Sequence, residues 1–147
     1  MLKLNITKKL FPVSEQELEA IHAATDITGF GLAGHAYQMA SASQKTFSLN
    51  FQQLPVFSLA WTSLKESYLT KAHRTNALYT ESHIQIDIQD QIKKLILFDP
   101  QTSGGLLLAV NPQYSAEILK KISMRFKKAT QIGQVLAPQN KSLLINS

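Results

Sequence analysis

Two short stretches carry the residue types that chemistry on a charged, oxygen-rich ligand would need. The first is Thr25, Asp26, Ile27, Thr28, Gly29, Phe30 and Gly31; the second is Asp99, Pro100, Gln101, Thr102, Ser103, Gly104 and Gly105. Each sets a carboxylate and hydroxyls beside paired or near-paired glycines, next to an apolar stretch. Glycine opens backbone conformations closed to other residues and lets the main chain come close to a ligand. Exposed amides in such a loop can hold an anion, and a neighbouring carboxylate can hold the cation that accompanies a phosphate. Neither loop has the spacing of a Walker or dinucleotide-binding fingerprint.

Asp26 is the strongest ligand candidate, and its chemistry leaves two readings. It is either a turn or cap aspartate accepting a backbone amide, or part of a metal site. Magnesium demands near-octahedral oxygen coordination shared among carboxylates, waters and phosphates, so one carboxylate supplies only a fraction of such a site. Thr25 and Thr28 suit local caps equally well. In the second loop Pro100 removes an amide and drives Asp99 toward an extended conformation. Gln101, Thr102 and Ser103 offer donors there; the alternative is a tight turn entering a buried strand. His22, His35, His73 and His83 show no metal-site spacing, and no Ser-His-Asp arrangement follows from the sequence. His35, beside Leu32 and Met39, is expected to be a packed or capping histidine. Cysteine is absent, which excludes disulfides, thiolate metal sites and cysteine nucleophiles.

The elements that must position these loops follow from periodicity. Ser14 and Glu17 form a capping box that predicts a helix over 14–24, with Leu18 and Ile21 facing inward. Leu32, Ala36 and Met39 recur at helical spacing and predict a second helix over 31–42. Asp26 would then lie just upstream of a helix N-terminus, where orphan amides favour anions. Phe47, Leu49 and Phe51 alternate with polar residues, a half-buried strand over 46–51. Pro55 breaks it, and 56–69 suits one or two short helices carrying Trp61 and Tyr68. Residues 71–83 are polar without a clear period. Ile84, Ile86 and Ile88 alternate, 91–94 suits a helical turn, and 95–98 leads into the second loop. An apolar strand leaves that loop over 106–110. A basic helix follows from Asn111 and Pro112 to about residue 128, then closing strands over 130–136 and 142–145 around a turn at Pro138, Gln139 and Asn140.

Helices and strands intermix without a strand–helix–strand period. The expected fold class is α+β, a layered sandwich of helices flanking a mixed β-sheet, rather than a doubly wound parallel fold. At 147 residues the chain suits one domain, 1–147. The net charge is +5, and many of the positive charges sit in Lys120, Lys121, Arg125, Lys127 and Lys128; of these Lys120, Lys127 and Lys128 fall opposite a stripe of Ile118, Leu119, Ile122 and Phe126. That pattern describes a solvated helix face. Without basic–aromatic interleaving, nucleic acid is not an expected partner. No apolar run approaches the ~20 residues that span a bilayer, and the first residues lack the apolar core of a secretory leader. A cytoplasmic protein is expected.

The residues from Ile21 to His35, followed by Met39 and Ala40, resemble the start of the C-terminal domain of selenophosphate synthetase (selenide, water dikinase). The run from Phe98 to Val110 resembles that family's second signature, and Ile132 and Gly133 before Val135 are similar to its closing strand. The resemblance extends over nearly the whole chain with both motifs in order. It implies the fold shared with the C-terminal domain of aminoimidazole ribonucleotide synthetase. It also implies an activity that converts selenide, ATP and water to selenophosphate, AMP and phosphate with magnesium. Asp26 would help to coordinate the metal–nucleotide complex together with aspartates of the N-terminal domain. The resemblance gives the Asp99 loop no such assignment; Thr102, Ser103, Gly104 and Gly105 are read as a phosphate-facing or structural loop.

The family's cysteine or selenocysteine, its partner lysine and its glycine-rich entry loop belong to an N-terminal ATP-binding half. The isolated chain is therefore expected to be inactive, with Mg2+ and ATP as cofactors only when that half or a full-length homologue joins it; a homodimer stays open. Lys71, Ala72 and His73 stand where the family has Gly-Gly-Thr, while Asn76 and Tyr79 match. The rival expectation is a degenerate, non-enzymatic module that binds a partner or an anion.

Overall fold

The computed structural model describes residues 13–147; what the sequence suggests for residues 1–12, where no secretory leader is expected, lies outside them. Ser14 caps α1 (Glu15–Glu19) through the capping box with Glu17, but the helix stops at Ala20. The expected continuation to residue 24 is instead β1 (Ile21–Asp26). Its partner is β4 (Leu106–Val110), antiparallel, with Ala24 opposite Leu108 and Asp26 opposite Leu106. This long-range pairing overrides the high helix propensity of Ala23 and Ala24. The strand carries Asp26 to the open end of a two-stranded ribbon.

A second, four-stranded sheet has the order β3-β6-β2-β5. Its members are β2 (Thr46–Asn50), β3 (Ile84–Ile86), β5 (Gly133–Leu136) and β6 (Leu143–Asn146). β6 runs parallel to both β2 and β3, whereas β5 is antiparallel to β2, so the sheet is mixed as expected. The half-buried strand expected over 46–51 ends at Asn50 and is internal, not half-exposed: Thr46, Phe47, Ser48 and Leu49 are all buried. Its polar members are satisfied there. Thr46 Oγ1 donates to Lys141 O at 2.8 Å, and Ser48 Oγ accepts from Asn146 Nδ2 at 2.8 Å, as buried hydroxyls require.

The helices are α2 (Gly31–Ala42), α3 (Ser58–Lys65), α4 (Lys71–Thr80), α5 (Gln91–Phe98) and α6 (Pro112–Arg125). α2 lies against β1, β2 and β6, and α2, α4 and α5 pack on one another. Ala33, Ala36 and Ala40 on α2 are fully buried, and Leu97, Leu143 and Ile145 are buried in the same core. The polar segment without a clear period is a helix because Thr70 and His73 cap its first turn reciprocally. Asp90 caps α5 by accepting from Ile92 N at 2.9 Å and Lys93 N at 3.2 Å, so the helix runs on to Phe98. The basic helix ends at Arg125 rather than near residue 128; Phe126, expected in its apolar stripe, lies beyond the last turn and is exposed. Lys120 on the helix and Lys127 and Lys128 beyond its end are exposed, so the three do not share one helix face, and Lys121 is paired with Glu17 and Glu117.

Candidate functional site

The two glycine-bearing loops meet. Ile27 N donates to Gly105 O at 2.9 Å and Gln101 N donates to Thr28 O at 3.1 Å, which extends the β1–β4 ribbon past its last pair. Two glycines make this possible. A Cβ on Gly104 would sit 2.0 Å from Ile27 O and 2.6 Å from Gln101 Oε1. Gly31 has φ +69° and would place a Cβ 2.9–3.0 Å from the backbone of Leu97, Phe98 and Asp99. Both positions serve the contact between the loops. Gly29 and Gly105, by contrast, have nothing within 4 Å of where a side chain would begin, so these backbones border free space.

α4 binds the junction from behind. Asn76, buried on α4, donates from Nδ2 to Gly29 O at 2.8 Å and to Phe98 O at 3.0 Å, joining the first loop to the end of α5. One turn earlier, buried His73 brings Nε2 to 3.1 Å from Asp99 Oδ1. Thr28 Oγ1 is held at 2.9 Å by Nε2 of buried His35, in keeping with a packed histidine. Thr25 Oγ1 makes only a long 3.4 Å contact to Asp26 O. The N-terminus of α2, begun by Phe30, carries no side-chain cap. Phe30 is exposed and leans on Tyr79, with ring centroids 5.4 Å apart.

At this junction Asp26 is exposed, and its carboxylate has no hydrogen-bond or ion-pair partner among the described residues. It is not serving as an internal cap. Thr102, Ser103 and Gly105 are also exposed, and Gly104 is partly covered. Among the described residues no three His, Asp or Glu side chains gather as a metal-binding group. A magnesium ion could take one carboxylate from Asp26, and its remaining oxygens would have to come from elsewhere.

Periodicity missed the residues that build this junction rather than line it. His73 and Asn76 lie on α4, whose polar sequence hides its inward face; their i, i+3 spacing was the available signal. Ile27 and Gln101 act through main-chain atoms and leave no side-chain signature.

A ribbon beside a mixed sheet, with helices packed on it and two interlocked glycine loops at one end, defines an α+β domain of layered type. The same architecture occurs in a solved structure of the hydrogenase maturation protein HypE, which superposes with a TM-score of 0.50 at 19% identity over 84% of this chain and 31% of that one. Residues 6–146 match the family described as AIR synthase related protein, C-terminal domain; the chain belongs to that family. Selenide, water dikinase from Nitrosomonas eutropha is 51% identical over 131 residues, 89% of this chain but 38% of the relative. The Bdellovibrio bacteriovorus selenide, water dikinase is 44% identical over 140 residues, 95% of this chain and 39% of the relative. The chain thus spans about two-fifths of the length of these relatives. No helix among the described residues is long and apolar enough to cross a membrane.

Proposed function

We propose that this chain is the C-terminal half of a selenide, water dikinase and lends one ligand to a magnesium–ATP site whose other walls belong to an N-terminal half. The reaction would convert ATP, selenide and water to selenophosphate, AMP and phosphate. The observation that carries the reading is Asp26, unpartnered among the described residues at the strand end where both glycine loops converge. The likeness to relatives bearing that name, over only part of their length, supports it.

Phosphoryl transfer is mostly positioning and charge neutralisation. Asp26 would offer a carboxylate oxygen to the metal from a rigid strand end, and a bound Mg2+ would supply the neutralising charge on the triphosphate. Thr102 and Ser103 would donate hydroxyls, and Gly104 and Gly105 backbone, to a phosphate entering the free space beside Gly29 and Gly105. Asn76 would keep the loops in register while the ligand enters. The partner is the N-terminal ATP-binding half or a full-length homologue, in the cytoplasm, and the isolated chain is inactive.

Isothermal titration of the purified chain with magnesium–ATP tests where the nucleotide site lies. The reading expects weak or undetectable binding; micromolar affinity in the chain alone would overturn it. A second reading, a degenerate module that binds a partner or an anion without catalysis, draws on Lys71, Ala72 and His73 standing where the family pattern has Gly-Gly-Thr.

A further inference from the structure

Asp99 ends α5 and opens the second loop, and its half-buried carboxylate is approached from the interior by His73. The His73 ring is 5% exposed. Its Nδ1 accepts the backbone N–H of Thr70 at 3.2 Å and lies 3.2 Å from Thr70 Oγ1, closing the cap of α4. A neutral imidazole that accepts at Nδ1 carries its hydrogen on Nε2. That nitrogen is 3.1 Å from Asp99 Oδ1, yet the approach is off the N–H axis, and Nε2 has no hydrogen-bond partner. A buried donor left this way is costly, and the Asp99 carboxylate oxygen stands within reach of it. His73 and Asn76 are three residues apart on one face of α4. One lies against the side chain at the root of the loop, and the other holds the Phe98 carbonyl just before it.

We propose that His73 is a positioning residue: acting through Asp99, it sets the direction in which loop 100–105 leaves α5. It thereby sets where Thr102, Ser103, Gly104 and Gly105 stand relative to Asp26. The coupling is a property of this chain; its consequence for turnover rests on the function proposed above.

Two substitutions separate this role from capping. In His73→Asn the amide oxygen replaces Nδ1 as the acceptor for Thr70, but nothing reaches Asp99. In His73→Gln an amide N–H stands near the position of Nε2. Nitrogen-15 spectra of the full chain should show His73 protonated at Nε2. The amide resonances of Thr102, Ser103, Gly104 and Gly105 should move in His73→Asn and return toward wild type in His73→Gln. Loop amides that stay in place in a folded His73→Asn chain overturn the proposal, as does a proton on Nδ1. Asp99→Asn leaves α4 intact and provides the same test if His73→Asn does not fold: it should shift both the His73 Nε2 resonance and the loop amides, and no shift refutes the coupling.

With the N-terminal half added, His73→Asn should raise the KM for magnesium–ATP roughly fivefold, the order expected for losing one polar contact, with kcat little changed. Loop shifts without any turnover by the wild-type pair would support the coupling and refute the proposed function. Turnover with unmoved loop amides would refute the coupling alone.

Discussion

Replacing Gly104 with alanine should do far more damage than the same change one residue later. The added methyl would fall 2.0 Å from the Ile27 carbonyl oxygen. Both atoms at that contact are fixed to backbone, so residues 27 and 104 must part by about 1 Å to recover even a tight approach. The hydrogen bonds on either side, Ile27 N to Gly105 O and Gln101 N to Thr28 O, would lengthen together. Strain of about 1–3 kcal/mol and two hydrogen bonds at about 0.5–1.5 kcal/mol each give a loss of roughly 2–6 kcal/mol. For a chain of this size that is a fall in Tm of about 6–19 °C. Gly105→Ala meets nothing within 4 Å and should stay within about 0.5 kcal/mol of wild type. Urea unfolding of both variants, with equal m-values, measures the difference directly. If the two unfold alike, the loops are not interlocked as described, and the argument that glycine serves loop-to-loop contact at 104 fails.

Asp26→Ala should leave urea stability within about 0.5 kcal/mol of wild type, because the exposed carboxylate has no partner among the described residues. A larger loss would return Asp26 to the role of a structural cap. Asn76→Ala should cost about 2–4 kcal/mol in the same assay, since the Gly29 and Phe98 carbonyls both lose their buried donor; a neutral result would remove Asn76 from the junction. Hydrogen bonds from Lys121 and from the Ser14 backbone hold the Glu17 carboxyl below its ordinary value of 4.5, and the Glu17 bond raises Lys121 above 10.5. The Glu17 contribution is complete above pH ~4.5 and lost as pH falls through the lowered value; that of Lys121 is complete below pH ~10.5 and lost as pH rises through the raised one. Stability–pH curves should therefore lose part of their acid limb in Glu17→Gln and part of their alkaline limb in Lys121→Met. Unchanged limbs would mean that the α1–α6 pair contributes nothing.

The sequence disclosed most clearly what local chemistry alone decides. The capping box at Ser14, the apolar period of Leu32, Ala36 and Met39, and the alternation of Phe47 and Leu49 each led to the right element. Errors arose where distant partners decide. Ile21, His22, Ala23 and Ala24 continue a helical pattern, yet pairing with β4 makes them a strand. α4 was hidden because its inward residues, His73, Asn76 and Thr80, are polar and make contacts that sequence spacing does not reveal. Phe126 continues the apolar stripe of α6, but the backbone turns away one residue earlier. At the site, the residue types and both motifs were visible in the sequence, whereas their convergence was not. Main-chain bonds from Ile27 and Gln101 bring the loops together, and any side chain at those positions could make them.

The most direct test of the borrowed-ligand account is selenide-dependent formation of AMP from ATP by this chain mixed with the N-terminal half of a relative, wild type against Asp26→Ala at equal folded concentration. The account predicts turnover by the wild-type pair, at least a hundredfold less with Asp26→Ala, the order expected for removing a group that stabilises transferring charge, and none from either half alone. Turnover that survives Asp26→Ala undiminished would contradict it.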